Sequence, residues 1–187
     1  MMKKVAVILL DGCEDIEALA PIDILRRASV KVETLSITDS LIIESARGVT
    51  MHSDELIDKV ELNDYDMIVL PGGPGTKNYW KSEKLSKYLK SINDPVKKIA
   101  AIYTAPTYLS YLGILKNRNV TCFPMCEKEL LSYDSSITYS TENVVIDGNV
   151  ITSKAAGTCI NFALELVNSL CGKEKANQIR EQICYMA

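Results

Sequence analysis

The feature that most limits what this chain can become is a repeated unit. A short apolar run without polar breaks leads into a loop and then into residues at helical spacing. "KKVAVILL" (3–10), "DMIVLPGG" (66–73) and "KKIAAI" (97–102) are such runs. A strand with one wet face alternates apolar and polar residues, whereas one that is apolar throughout is covered on both faces. "EDIEALAPIDILRRA" (14–28) follows the first run with helical periodicity and acids in its opening turn, where the helix dipole favours them. "VKVETLSI" (30–37) alternates as a strand does. Hairpins are expected over 41–52, turning near Arg47-Gly48, and over 143–153, turning at Asp147-Gly148. Helices are expected from about 78 to 91 and from 104 to 112, with a less regular region over 116–143. Two more, 158–172 and 173–183, are separated by Gly172. This alternation predicts a doubly wound, mostly parallel α/β sheet with helices on both faces. No repeat, linker or low-complexity tract interrupts the 187 residues, so one domain over 1–187 is expected.

Composition narrows the function classes. The net charge is −3, and basic and acidic residues are interleaved, which gives no footprint for nucleic acid or a membrane surface. No apolar run approaches the ~18 residues of a membrane span. The start, "MMKKVAVILLDGCED", turns acidic without a small-residue cleavage site, and the expected location is the cytoplasm. Six cysteines (13, 122, 126, 159, 171 and 184) are scattered, several in apolar segments where a thiol acts as a small hydrophobe. Cys122 and Cys126 have no second close pair, and the single histidine, His52, is remote in sequence. No metal site is expected, and no motif calls for a cofactor.

Doubly wound sheets bind ligands beyond the carboxyl ends of their strands, which directs attention to 11–17, 71–77 and 103–107. In the third of these a tyrosine, Tyr103, falls at a strand-to-helix corner, a place that often presents a nucleophile.

"LLDGCEDIEALAPIDILRRA", "VLPGGPGT", "AAIYTAPTYL" and "VITSKAAGT" occur in the order and spacing of the ThiJ/PfpI superfamily, and the chain resembles its parkinsonism-protein (DJ-one) branch from Lys3 to the final helices. The resemblance implies a flavodoxin-like sandwich that forms a homodimer. It also implies a nucleophilic cysteine at the elbow after "AAI", bonded to a glutamic acid of the first loop and helix and facing an oxyanion site of backbone amides. Glyoxalase or deglycase action on reactive carbonyls, oxidative-stress sensing and chaperone function come with it. Carried onto this chain, the glutamic acid is Glu17, the diglycine is Gly72-Gly73, Thr104 follows the elbow, and the elbow is Tyr103.

A phenol cannot take a thiol's place there. Its oxygen stands several ångströms further out, and its ordinary pKa is ~10. The family elbow has φ above zero, which costs a bulky residue about 1–3 kcal/mol. Two more positions depart from the branch: Phe123 stands where a histidine is common, and Ala156 where "PGT" would carry proline.

Each residue has a plainer reading. Glu17 is either a solvated helix-start carboxylate or a desolvated pocket acid with a raised pKa. Tyr103 is either a plug or a phenol bonded to Glu17 that donates to a ligand. Cys13 is either a relocated nucleophile or an ordinary small residue, with Asp11, Glu14 and Asp15 opposing its ionisation. Gly72, Gly73 and Gly75 either offer amides to an anion or make a tight turn. Arg26, Arg27 and Arg47 are either solvated charges or part of a twofold contact built from helix 15–28 and the hairpin around 47–52, with His52 beside it and a small anion between the arginines.

The expectation is a non-catalytic or altered member that keeps Glu17, Gly72, Gly73 and Thr104 and binds a small carbonyl or carboxylate ligand, or a partner, in a stress response. The competing expectations are a glyoxalase-like enzyme or peroxide sensor using Cys13, and a holdase with exposed apolar surface.

Overall fold

The structure, a computed structural model, describes residues 2–92 and 94–186; Met1, Asn93 and Ala187, which the 1–187 domain assignment takes in, lie outside the described residues. The chain opens with β1 (Lys4–Leu9), α1 (Asp15–Arg27) and β2 (Lys31–Ser36). A ribbon of β3 (Ile42–Glu44) and β4 (Thr50–His52) follows, then β5 (Glu55–Leu56) and β6 (Met67–Leu70). Next come α2 (Glu83–Ser91), β7 (Lys98–Ile102), α3 (Ala105–Tyr111), β8 (Asn119–Val120), α4 (Glu127–Tyr133) and β9 (Thr138–Tyr139). The chain closes with β10 (Val144–Asp147), β11 (Val150–Ser153), α5 (Cys159–Cys171) and α6 (Lys173–Gln182).

Seven strands form one sheet in the order β10-β11-β7-β6-β1-β2-β5. Every pairing in it is parallel except β10 with β11. The unbroken apolar strands take the central places: β1, β6 and β7 are buried on both faces, and Val5 to Ile8 are wholly inaccessible. The step from β1 to β2 runs one way across the sheet and the step from β6 to β7 the other. Since crossovers share one hand, the intervening helices fall on opposite faces. α5 packs against α1 on one side, while α3 packs against α4 on the other. This is the doubly wound sheet expected from the alternation, in the flavodoxin-like arrangement that the resemblance implies.

The differences from expectation are local. The helix expected from about 78 divides into a 3-10 stretch, Pro74–Lys81, and α2. Pro74 lacks an N–H and opens the first, and the Ser82 hydroxyl accepts the Leu85 N–H to start the second. The second hairpin turns one residue later than expected. Asp147 pairs with Val150, so the loop is Gly148-Asn149, with Gly148 at φ 60°. The irregular region contains α4 and the parallel pair β8–β9. Among the described residues no helix is long and apolar enough to cross a membrane.

Candidate functional site

The reversal in strand order lies between β1 and β6, and there the loops after these strands meet. The Glu14 N–H donates to Gly72 O at 2.8 Å and the Gly75 N–H to Gly12 O at 2.9 Å. The approach is so close that a Cβ on Gly75 would stand 1.9 Å from the Asp11 carbonyl oxygen, and one on Gly73 2.5 Å from that of Gly12. Gly73 also has φ 120°. Close backbone packing therefore dictates these glycines.

Glu17, in the first turn of α1, faces inward and is completely buried. Its Oε2 accepts the Gly72 N–H at 2.9 Å, while Oε1 is buried with no partner. Burial pushes its carboxyl pKa up to about 8, the Gly72 N–H works against this, and Glu14 adds to it. The helix-start position, favourable to an exposed acid, is outweighed by desolvation, and Glu17 is protonated at neutral pH.

Tyr103 ends β7. Its N–H donates to Ser153 O at 3.0 Å and its carbonyl accepts the Phe123 N–H at 2.9 Å, so both neighbouring segments pin the corner. Its φ is 63°: the corner has kept the elbow conformation and has not relaxed around the bulky residue. The half-buried ring meets Phe123 edge-on, with centroids 4.6 Å apart. The expected phenol bond to Glu17 is not formed, since Oε2 is taken by Gly72 and Oε1 is unpartnered. Burial raises the phenol's pKa, followed by Glu17, Cys126 and Glu14, while the Arg47 guanidinium lowers it. The ring thus packs on Phe123 at the corner, and Glu17, Glu14 and Arg47 all act on its hydroxyl.

The amides expected to receive an anion are already engaged. Gly72 gives its N–H to Glu17, and Gly73 gives its own to Thr104 Oγ1 at 3.0 Å, which returns a bond to Gly73 O at 3.2 Å. Thr104 is a brace between the two corners. Cys13 is no better placed for chemistry. It is buried, and burial lifts its thiol to about 11, with Asp15 and Asp11 adding, so it is the reverse of an activated nucleophile.

Arg27 and Arg47 are not brought together. Arg27 lies in the last turn of α1 and pairs with Asp23 at 2.8 Å, whereas Arg47 stands at the other end of that helix, 3.5 Å from Glu14. Within one chain, therefore, the two do not frame a site for a small anion. Arg26 instead reaches Asp54 at 3.4 Å and lines a 210 Å³ hollow with Leu19, Met51 and His52. α1 and the ribbon do share a surface, on which Ile16, Leu19, Ile42 and Val49 are exposed.

Sequence reasoning gave Asp15 only a charge acting on Cys13 and passed over Ser45. Asp15 accepts the Ser45 hydroxyl at 2.7 Å and the Arg47 N–H at 3.2 Å, fastening the ribbon to the start of α1. The available signal was an acid in a first helical turn, which reads the same whether it faces water or a loop. Cys126, half-buried beside Tyr103, had only its spacing from Cys122 to mark it. Among the described residues no group of three His, Cys, Asp or Glu side chains could hold a metal ion.

Residues 3–169 match the model of the DJ-1/PfpI family. The protein DJ-1 homolog B of Arabidopsis thaliana is 39% identical over 179 residues, covering 94% of this chain and 40% of the relative, so the chain spans well under half of that protein. The glutathione-independent glyoxalase DJR-1.2 of Caenorhabditis elegans is 32% identical, with 97% of each chain covered. Among solved structures, Drosophila melanogaster DJ-1beta superposes with a TM-score of 0.93 at 32% identity, covering 100% of both chains.

Proposed function

We propose, for a chain that belongs to the DJ-1/PfpI family, a member that acts by binding and not by thiol catalysis, with Tyr103 standing where the family's elbow cysteine is expected. The observation that carries this reading is the corner itself. Tyr103 holds φ 63°, and beside it Glu17 keeps a buried oxygen with no partner. A carboxyl group left in that state matches a site whose thiol has been lost while its support remains. The other thiol near the site, Cys13, has its ionisation suppressed by burial. We take the ligand to be a small carbonyl or carboxylate compound received at the mouth, by the Tyr103 hydroxyl and the largely exposed Arg47 guanidinium. The reading treats 1–187 as one cytoplasmic domain.

The test is turnover of methylglyoxal by the wild type and by Tyr103→Cys. The wild type is expected to be inactive and Tyr103→Cys to gain activity that Glu17→Gln removes. Wild-type turnover abolished by Cys13→Ala would overturn the proposal.

A second reading, a glyoxalase, is favoured by the nematode relative of that name. The same assay separates the two.

We further propose a homodimer through α1 and the ribbon, supported by the exposed Ile16 and Leu19 of the helix and Val49 of the turn between β3 and β4. Leu19→Glu is expected to halve the mass seen in sedimentation. An unchanged mass, or a monomeric wild type, would remove this interface.

A further inference from the structure

A series of five aromatic rings leads from the floor of the corner to solvent. Tyr79 is fully buried, and its hydroxyl donates to the carbonyl of Pro71, the residue before the glycine that bonds Glu17. Its ring stacks on Tyr108 with centroids 5.3 Å apart. Tyr108 lies 4.9 Å from Trp80, Trp80 5.6 Å from Tyr111, and Tyr111 5.6 Å from Tyr133. Each step is ring contact, without an aliphatic gap. Tyr111 and Tyr133 are exposed.

Tyrosine and tryptophan are the side chains that most readily give up one electron without a metal. An oxidised tyrosine must also release its phenolic proton, because a radical cation in the core is an unpaired buried charge. Tyr79 faces an amide carbonyl and Tyr108 faces the Ser86 hydroxyl at 2.9 Å, and neither group is a base. The outer end differs. Glu129 lies four residues before Tyr133 on α4, hence on the same helical face, and its carboxylate, after burial, helps to raise the pKa of the Tyr133 phenol.

We propose that these rings form a relay that carries an oxidising equivalent from beside the Glu17 corner to Tyr133 at the surface. A one-electron oxidant, such as a small inorganic radical, removes an electron from the series, and the inner tyrosines do not keep the vacancy because neither has a base to take its proton. The vacancy is refilled ring by ring from the outside, and Tyr133 supplies the last electron as its proton passes to Glu129. The oxidant has gained one electron, Tyr133 is a neutral phenoxyl radical, and Glu129 is protonated. A small thiol in solution then gives Tyr133 a hydrogen atom and leaves as a thiyl radical. The relay diverts oxidation from Cys13 and Cys159, the buried thiols near Glu17. It does not depend on the ligand-binding reading above.

Trp80 is the single tryptophan, so the indole-radical absorbance reports one residue. Pulse radiolysis with azide radicals generates that signal. Its decay is expected to be first order, independent of protein concentration, and matched by growth of tyrosine-radical absorbance. Tyr111→Phe should slow the decay at least tenfold, and Glu129→Gln should slow it several-fold. Dityrosine cross-links should map to the Tyr133 peptide and vanish in Tyr133→Phe. These positions are at the surface, and each variant is required to match the wild-type circular dichroism. A decay that scales with protein concentration, or one unchanged by both Tyr111→Phe and Glu129→Gln, would overturn the relay. Cross-links unaffected by Tyr133→Phe would overturn its terminus.

Discussion

Neighbouring strands of the sheet end in two corners built on opposite principles. After β6 the chain turns through Gly72 and Gly73, and the positive φ of Gly73 is carried by a residue with no Cβ to oppose it. After β7 the chain turns through Tyr103 at φ 63°, a conformation that a bulky residue takes at a cost of about 1–3 kcal/mol. The first corner is demanded by packing, because loop 11–14 leaves no room for a side chain. Nothing in the packing demands a side chain at the second. A corner that keeps its strain when glycine would remove it is held for what its side chain does, and this contrast marks Tyr103 more firmly than its place in the sequence does.

The contrast can be broken first at its glycine side. Gly75→Ala puts a methyl group 1.9 Å from a backbone oxygen, where no rotamer can relieve it. We expect a loss above ~4 kcal/mol in urea unfolding, or no folded protein. A mild loss would mean that loops 11–14 and 71–75 can part, and that the packing argument fails.

Glu17 tests what lies under both corners. Its folded pKa of about 8 stands above the ~4.3 of an unfolded chain, so the folded state holds a proton that the unfolded state gives up. This contribution is complete below about pH 4 and is lost as pH rises toward 8, at up to ~1.4 kcal/mol per unit. Unfolding of Glu17→Gln followed from pH 5 to 8 should lack that slope and overtake the wild type by about 3 kcal/mol at the alkaline end. Parallel slopes would mean that Glu17 is ionised in the fold.

The tyrosine side is sharpened by a pair of variants. Tyr103→Ala loses the contact with Phe123 and keeps the strain, while Tyr103→Gly loses both. The glycine variant should be the more stable by about 1 kcal/mol, the inverse of the usual order within regular structure. Equal stabilities would indicate a corner that has relaxed. The smallest effect is expected from Tyr103→Phe, within about 0.5 kcal/mol, because the phenol makes no bond to Glu17. A larger loss would reveal a partner for the hydroxyl.

Much of the fold was legible in the sequence because the signals were strong and local. Continuous apolar runs gave the central strands, and Gly172 separated the final helices. The register of the second hairpin was missed by one residue, since Asp147-Gly148 and Gly148-Asn149 are both good turn pairs and only the cross-strand pairing distinguishes them. At the site, the family resemblance located Glu17, Gly72, Gly73, Tyr103 and Thr104 in one place. It could not say how they were bonded. That the glycine amides are already engaged, that the phenol makes no bond to Glu17, and that Arg27 and Arg47 stand a helix apart are facts of direction and distance. The burial of Cys13 depends likewise on what packs over it, which its neighbours in sequence do not reveal.

The bond from the Tyr103 N–H to Ser153 O joins residues fifty positions apart, and Gly75 to Gly12 spans more than sixty. Contacts closed over such distances form late, after the loops between them have been ordered. During synthesis the Tyr103 N–H therefore has no partner until β11 has left the ribosome. A chain halted before residue 150 would carry α1 to α4 and four of the central strands, with this corner held on the Phe123 side alone. Tyr103 takes up its strained conformation as one of the last acts of folding, when the rest of the sheet is there to hold it.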